Sequence, residues 1–118
     1  MEGGIIHESL DDLSLLDSVT ILKVETIEAG DRTPDQPAVW TLSTFTAPDE
    51  QASEIADELA EVIKEGPWYV DFSTAEEKFV VFSGRIFRYP RGDESGRELA
   101  ADFARSAGVP PSQIDWPE

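Results

Sequence analysis

Four polar side chains in the second half of the chain are the candidates for binding a ligand: Asp71, Arg85, Arg88 and Arg91. Asp71 lies in the alternating stretch 68–72, which places its carboxylate on the strand face opposite the apolar side chains. A carboxylate beside guanidinium groups can hold a small polar or anionic ligand. Because Arg85 and Arg88 are three residues apart on one predicted strand, they should project to opposite faces, and only one can share a cleft with Asp71.

The arginine-rich segment 85–97 has two interpretations that the sequence leaves open. Its arginines either pair with carboxylates elsewhere in the chain or form a local patch for phosphate or carboxylate ligands. Arginine also alternates with aromatic residues over 85–89, as in strands that stack the bases of single-stranded RNA. A net charge of −16 opposes nucleic-acid binding, which requires a positive surface.

Several kinds of catalytic site are excluded by residue content. The chain has no Cys, which rules out disulfides, thiolate metal sites and thiol nucleophiles. His7 is the only His, so a catalytic triad or a multi-histidine metal site would have to use this one residue, which we expect to pack or to lie at the surface. With 25 acids in 118 residues, no carboxylate pair stands out. We therefore predict no catalytic residue, no metal and no cofactor.

The charge is distributed unevenly along the chain. Residues 1–77 contain 3 basic and 19 acidic residues, whereas residues 78–118 contain six of each. Within 49–65, acids recur at helical spacing, and like charges three or four residues apart repel. High salt, a cationic partner or bound metal ions would each offset this repulsion. We favour adaptation to high salt, with an acidic nucleic-acid mimic that binds a basic protein as the alternative.

Hydrophobic periodicity and turn residues predict eight elements. Helices are expected at 9–17, 49–65 and 95–108, and strands at 19–28, 38–46, 68–72, 78–82 and 85–89. The order α-β-β-α-β-β-β-α predicts an α+β two-layer sandwich, with a mainly antiparallel five-stranded sheet and the helices on one face. Residues 1–118 form one predicted domain. Trp116 is expected to dock on the sheet.

Part of the chain resembles a known group of proteins. Residues 68–72, 79–82, 87–93, 108–110 and 113–116 resemble small conserved hypothetical proteins of prokaryotes, particularly those of haloarchaeal composition. That group has no assigned activity. The resemblance therefore implies a source and no mechanism.

The function predicted from these features is a non-enzymatic module that binds a small ligand or another protein, including a second copy of itself. A small carboxylate-dependent enzyme and an acidic nucleic-acid mimic are the alternatives. The N-terminal residues carry no positively charged leader, and no apolar run approaches the roughly 20 residues that span a bilayer. We expect a cytoplasmic protein without a membrane segment.

Overall fold

A computed structural model describes residues 1–30, 32–34 and 36–116, and its strands form one antiparallel sheet. The strands are β1 (Glu2–Ile6), β2 (Thr20–Glu28), β3 (Val39–Thr46), β4 (Val70–Ser73), β5 (Glu77–Phe82) and β6 (Arg85–Pro90). Their order across the sheet is β2-β3-β1-β4-β5-β6. The α-helices are α1 (Ala52–Val62) and α2 (Glu94–Ser106). The predicted α+β class is confirmed. No helix of the described residues is long and apolar enough to cross a membrane.

The prediction of five strands is wrong because it omitted β1, which lies in the middle of the sheet between β3 and β4. Gly3 and Gly4 depress the strand propensity of this segment. At Gly3 the backbone passes so close to β4 that a Cβ atom would lie 2.5 Å from the carbonyl oxygen of Asp71. The glycines that weaken the sequence signal for β1 therefore also allow this strand to pack closely against β4. Both neighbours of β1 run antiparallel to it, so α1 connects two strands that are parallel to each other.

The helices lie on opposite faces of the sheet, and the prediction of helices on one face is wrong. Successive side chains of β5 point to opposite faces, and both faces of this strand are buried. Phe79 and Val81 join the core beneath α1, whereas Val80 and Phe82 join a second core beneath α2. We call these the α1 face and the α2 face. The molecule therefore has three layers at this end of the sheet rather than two.

The helix predicted at 9–17 is replaced by two 3-10 turns, His7–Ser9 and Ser14–Ser18. The apolar run is too short to sustain an α-helix without extensive packing. The Asp12 carboxylate accepts a hydrogen bond from the Ser14 N–H at 2.8 Å, which stabilises a turn instead. Further 3-10 turns occupy Asp49–Gln51, immediately before α1, and Pro111–Gln113.

Three features determine where α2 begins, how closely it approaches the sheet and where the tail after it docks. Asp93, two residues before the predicted start of the helix, caps it by accepting hydrogen bonds from backbone N–H groups of the first turn. Gly96 provides clearance, because a Cβ atom there would lie 2.5 Å from the Cβ of Tyr89. Trp116 is buried and its Nε1 donates to the Tyr89 hydroxyl at 3.0 Å. The predicted docking of Trp116 is confirmed.

Candidate functional site

A groove of about 290 Å³ opens on the α2 face, where the sheet extends beyond the cover of α2. Its floor consists of residues from β1, β2 and β3, and its wall consists of tail residues between 112 and 115, residues 67–69 before β4, and Asp71. The apolar lining includes Ile6, Ile27, Trp40, Leu42 and Trp68. The polar lining includes Tyr69, Asp71 and Asp115. The groove is therefore apolar along its floor and carries two carboxylates.

Two tryptophan rings are held together at the groove. The ring centroids of Trp40 and Trp68 are 5.5 Å apart and the planes are inclined at 56°. Trp40 Nε1 donates to the carbonyl oxygen of Pro37 at 2.9 Å, which fixes the orientation of its ring. Trp68 is buried in the core of the α1 face. These constraints hold the two rings in fixed positions at the groove.

Asp71 connects the groove with a buried ammonium group. Lys78 Nζ donates to Asp71 Oδ2 at 2.7 Å and to Ser73 Oγ at 3.3 Å. The Lys78 side chain is 1% exposed, whereas that of Asp71 is 26% exposed. The carboxylate thus accepts a bond from below and remains accessible from the groove. The opposite residue on β1 is Gly4, which has no side chain to cover Asp71.

The partner of Asp71 is Lys78, whereas the sequence predicts an arginine beside this carboxylate. Lys78 begins the apolar stretch 78–82 and gives no local sign of its role. The register of the β4–β5 pair, in which Ser73 lies opposite Lys78, brings the ammonium to Asp71. A lysine at an inward-facing strand position indicates a buried polar partner. Identifying that partner as Asp71 requires the register of the two strands.

Tyr69 joins the sheet to the tail. Its hydroxyl donates to the carbonyl oxygen of Gln113 and lies 3.4 Å from Asp115 Oδ1. Burial, together with the negative charges of Asp71 and Asp115, raises the pKa of Tyr69 above its ordinary value of 10.0. The hydroxyl therefore stays protonated at neutral pH and holds the wall of the groove in place.

The three predicted arginines do not line the groove with Asp71. The Arg85 guanidinium lies over the rings of Phe87 and Phe103, with 4.8 Å to the first centroid. Arg88 is on the other face, where Nε and Nη2 bind both carboxylate oxygens of Glu77 at 3.0 and 2.7 Å. Arg91 Nη1 donates to the carbonyl oxygen of Thr74 at 3.3 Å. The opposite orientation of Arg85 and Arg88 agrees with their spacing.

The single histidine forms a partly buried hydrogen bond with a side chain of β3. His7 Nε2 lies 2.6 Å from Ser43 Oγ, and Ser43 is 1% exposed. Next to this pair, Glu8 accepts bonds from the N–H and hydroxyl of Thr41 at 2.7 and 3.0 Å. Burial raises the pKa of Glu8, and the bonds from Thr41 more than offset this and lower it. Both residues fasten the end of β1 to β3.

No group of three or more acidic or histidine side chains within 1–30, 32–34 and 36–116 is arranged to hold a metal ion. Comparison of the chain with protein-family models, curated proteins and solved structures gave no match. The groove is therefore interpreted from its own chemistry.

Proposed function

We propose that this protein is a non-enzymatic binding module whose groove holds a small organic cation with an apolar body, such as an arylalkylammonium. The observation that carries the proposal is the pairing of a preformed apolar and aromatic groove with two carboxylates, Asp71 and Asp115. Ligand sites are typically apolar cavities with a few polar groups that fix orientation. In this groove the polar groups include two carboxylates, which favour a ligand with a positively charged group.

The charge balance of the groove supports a cation over an anion. The lining contributed by the described residues contains no arginine or lysine. Lys78 neutralises one negative charge from beneath Asp71, which leaves the carboxylate of Asp115 without a cation of its own in the lining. The net charge of −16 adds a long-range field that concentrates cations and repels anions.

The size and the rings of the groove support a small ligand with a hydrophobic part. A volume of about 290 Å³ lies just below the range of roughly 300–1,000 Å³ for small-molecule sites. Trp40, Trp68 and Tyr69 can contribute cation–π attraction as well as apolar contact. A single compact molecule fits this description better than an extended peptide.

The test compares phenethylammonium with 3-phenylpropionate, which shares the aromatic body and reverses the charge. Binding is measured by isothermal titration calorimetry and by tryptophan fluorescence, because Trp40 and Trp68 line the groove. We expect saturable binding of the ammonium and none of the carboxylate. Comparable binding of both probes, or of neither, would contradict the proposal.

A pair of matched variants locates the binding site. Asp115→Asn removes one charge from the groove and should weaken ammonium binding by about fivefold, as expected for one partly exposed charge contact. Asp57→Asn makes the same change on the exposed side of α1, on the opposite face, and should leave affinity nearly unchanged. Equal losses in both variants would assign the effect to overall charge and not to the groove.

A carboxylate-dependent enzyme is the second candidate, and the position of Asp71 favours it. The Lys78 ammonium holds the Asp71 carboxylate in position at 2.7 Å, and the carboxylate faces the groove within reach of a bound molecule. The two candidates differ in one result. Conversion of a bound compound that is lost in Asp71→Asn while binding persists would support the enzyme, whereas binding without conversion supports the module.

A further inference from the structure

The outer edge of the sheet at β2 is open. This strand has nine residues and, within the part of the chain that the structure describes, pairs with β3 alone, so the backbone groups on its other side have no strand partner there. Leu22 and Val24 are each 57% exposed. The edge at β6 differs, because that strand is shorter, carries Arg85 and Arg88, and ends at Pro90. Cations and proline protect the β6 edge from pairing, whereas the central charges of β2, Lys23 and Glu25, have opposite signs and can pair across a symmetric interface.

We propose that a second copy of this chain pairs with β2 in antiparallel orientation, about a twofold axis at Val24. The two six-stranded sheets would then form one continuous sheet. This interface is independent of the groove proposed above as a ligand site. The argument for a second copy is the charge pattern of the strand itself.

The twofold symmetry restricts the possible registers. A twofold axis perpendicular to the sheet leaves each face of the sheet on its own side. Directly opposite side chains must therefore share a face, which requires one residue to lie directly opposite the same residue of the second copy, at the axis. An axis at Lys23 would oppose two lysines, and an axis at Glu25 would oppose two glutamates. Like charges directly opposite each other destabilise a sheet. The axis at Val24, the residue between them, avoids both conflicts.

In the Val24 register, opposite charges meet twice. Lys23 lies opposite Glu25 of the second copy, and Glu25 lies opposite Lys23 of the second copy. Within one chain these side chains already share a face, with Lys23 Nζ 3.5 Å from Glu25 Oε2. Pairing would therefore assemble two cations and two anions in alternation. Val24 would pack against Val24 of the second copy and become less exposed.

An irregularity in β2 limits the length of the pairing. Ile21 lies opposite Phe45 and Lys23 opposite Thr44, so Leu22 is an extra residue that forms a β-bulge. From Lys23 to Glu28 the strand follows a regular register with β3. In the proposed pair, Leu22 lies opposite Thr26 of the second copy, so the bulge marks the end of regular pairing. The interface is short, and we expect a concentration-dependent dimer.

The experiment measures the dimer dissociation constant of the full chain by sedimentation equilibrium at one fixed ionic strength. Lys23→Glu places glutamates opposite each other, and Glu25→Lys places lysines opposite each other. Each variant should raise the dissociation constant by about tenfold, since two cross-strand pairs change from attraction to repulsion. The double variant exchanges the charges within each strand and should restore the original constant.

Mixing the two single variants provides a second test. Lys23→Glu carries two glutamates and Glu25→Lys carries two lysines, so a heterodimer satisfies every pair and should form more readily than either homodimer. Glu28→Lys changes the net charge as Glu25→Lys does but lies outside the central pairs, and it should not weaken the dimer. Thermal melts establish that each variant is folded. A monomer at the highest attainable concentration, or a dimer insensitive to both reversals, would overturn the proposal.

Discussion

At the scale of single residues, the contact between Asp71 and Lys78 places a charged pair between the groove and the core of the α2 face. Lys78 is fully buried, and among the described residues its ammonium has two polar side-chain contacts, to Asp71 and Ser73. Asp71 can also be solvated from the groove. The two members of the pair therefore depend on each other unequally, because loss of the carboxylate leaves a buried charge without an anion.

We expect Asp71→Ala to lower the free energy of unfolding by about 3–5 kcal/mol, the usual cost of leaving one member of a buried pair uncompensated. Lys78→Met should cost less, since methionine fills the space of the lysine stem and water in the groove solvates the remaining carboxylate. Urea denaturation measures both. Asp102→Ala is the control, because its ion pair with Arg105 is exposed. Equal losses from Asp71→Ala and Lys78→Met would contradict this asymmetry.

At the scale of elements, helix α2 positions the wall of the groove. Asp93 fixes where the helix starts, and the clearance at Gly96 sets its approach to β6. The helix ends at Ser106, and Gly108 turns the chain with a φ of 90°. Segment 112–115 then returns along the sheet and is anchored by Trp116. The cap of α2 thus contributes to a site that it does not touch.

The cap should make stability depend on pH. The Ser95 hydroxyl and the N–H groups of Gly96 and Ser95 hold the pKa of Asp93 below its ordinary value of 3.8. Because folding lowers the pKa of this carboxyl, its full contribution to stability is present above the unfolded-state pKa. The contribution is lost as the pH falls through the lower folded-state pKa. Asp93→Ala should therefore reduce the melting temperature by a few degrees at neutral pH and by less in acid.

Asp93→Asn is the control for the cap, because asparagine accepts the same hydrogen bonds without titrating in this range. Its melting temperature relative to the native chain should rise as the pH falls below 3.8. A constant difference between the native chain and Asp93→Ala across this range would show that ionisation of Asp93 does not contribute.

At the scale of the whole molecule, the acids are concentrated in residues 1–77. The exposed side of α1 carries Glu54, Glu58 and Glu61 at spacings of four and three residues. Lys64 follows the helix and is also exposed. The repulsion anticipated from the sequence therefore falls on a solvent-facing surface, where dissolved salt can screen it. Adaptation to high salt remains a prediction.

Raising KCl from about 0.1 M to about 1 M shortens the Debye length from about 10 Å to about 3 Å and should raise the melting temperature. A double variant, Glu54→Gln with Glu58→Lys, should respond less because it has less repulsion to screen. Equal increases in melting temperature for the native chain and the variant would show that the effect comes from salt exclusion from the protein surface. For the alternative of an acidic mimic, salt would instead weaken binding to a basic partner.

Elements with strong local signals could be predicted from the sequence. β-branched residues indicated β2 and β3, and alternation indicated β4, with bounds within two residues of those observed. Spacing also established that Arg85 and Arg88 face opposite ways. These features depend on backbone geometry over a few residues, which is why composition and periodicity were sufficient.

The tertiary structure decided the rest. Strand β1 is stable because its glycine-rich backbone pairs with strands on both sides. These partners are distant in the sequence, so no local pattern indicates the strand. The face on which each helix packs follows from β5 being apolar on both sides. The groove combines residues from Gly4 to Asp115, and Lys78 meets Asp71 only through strand register. Long-range pairing assembles this site, and residue order alone does not specify which distant side chains it brings together.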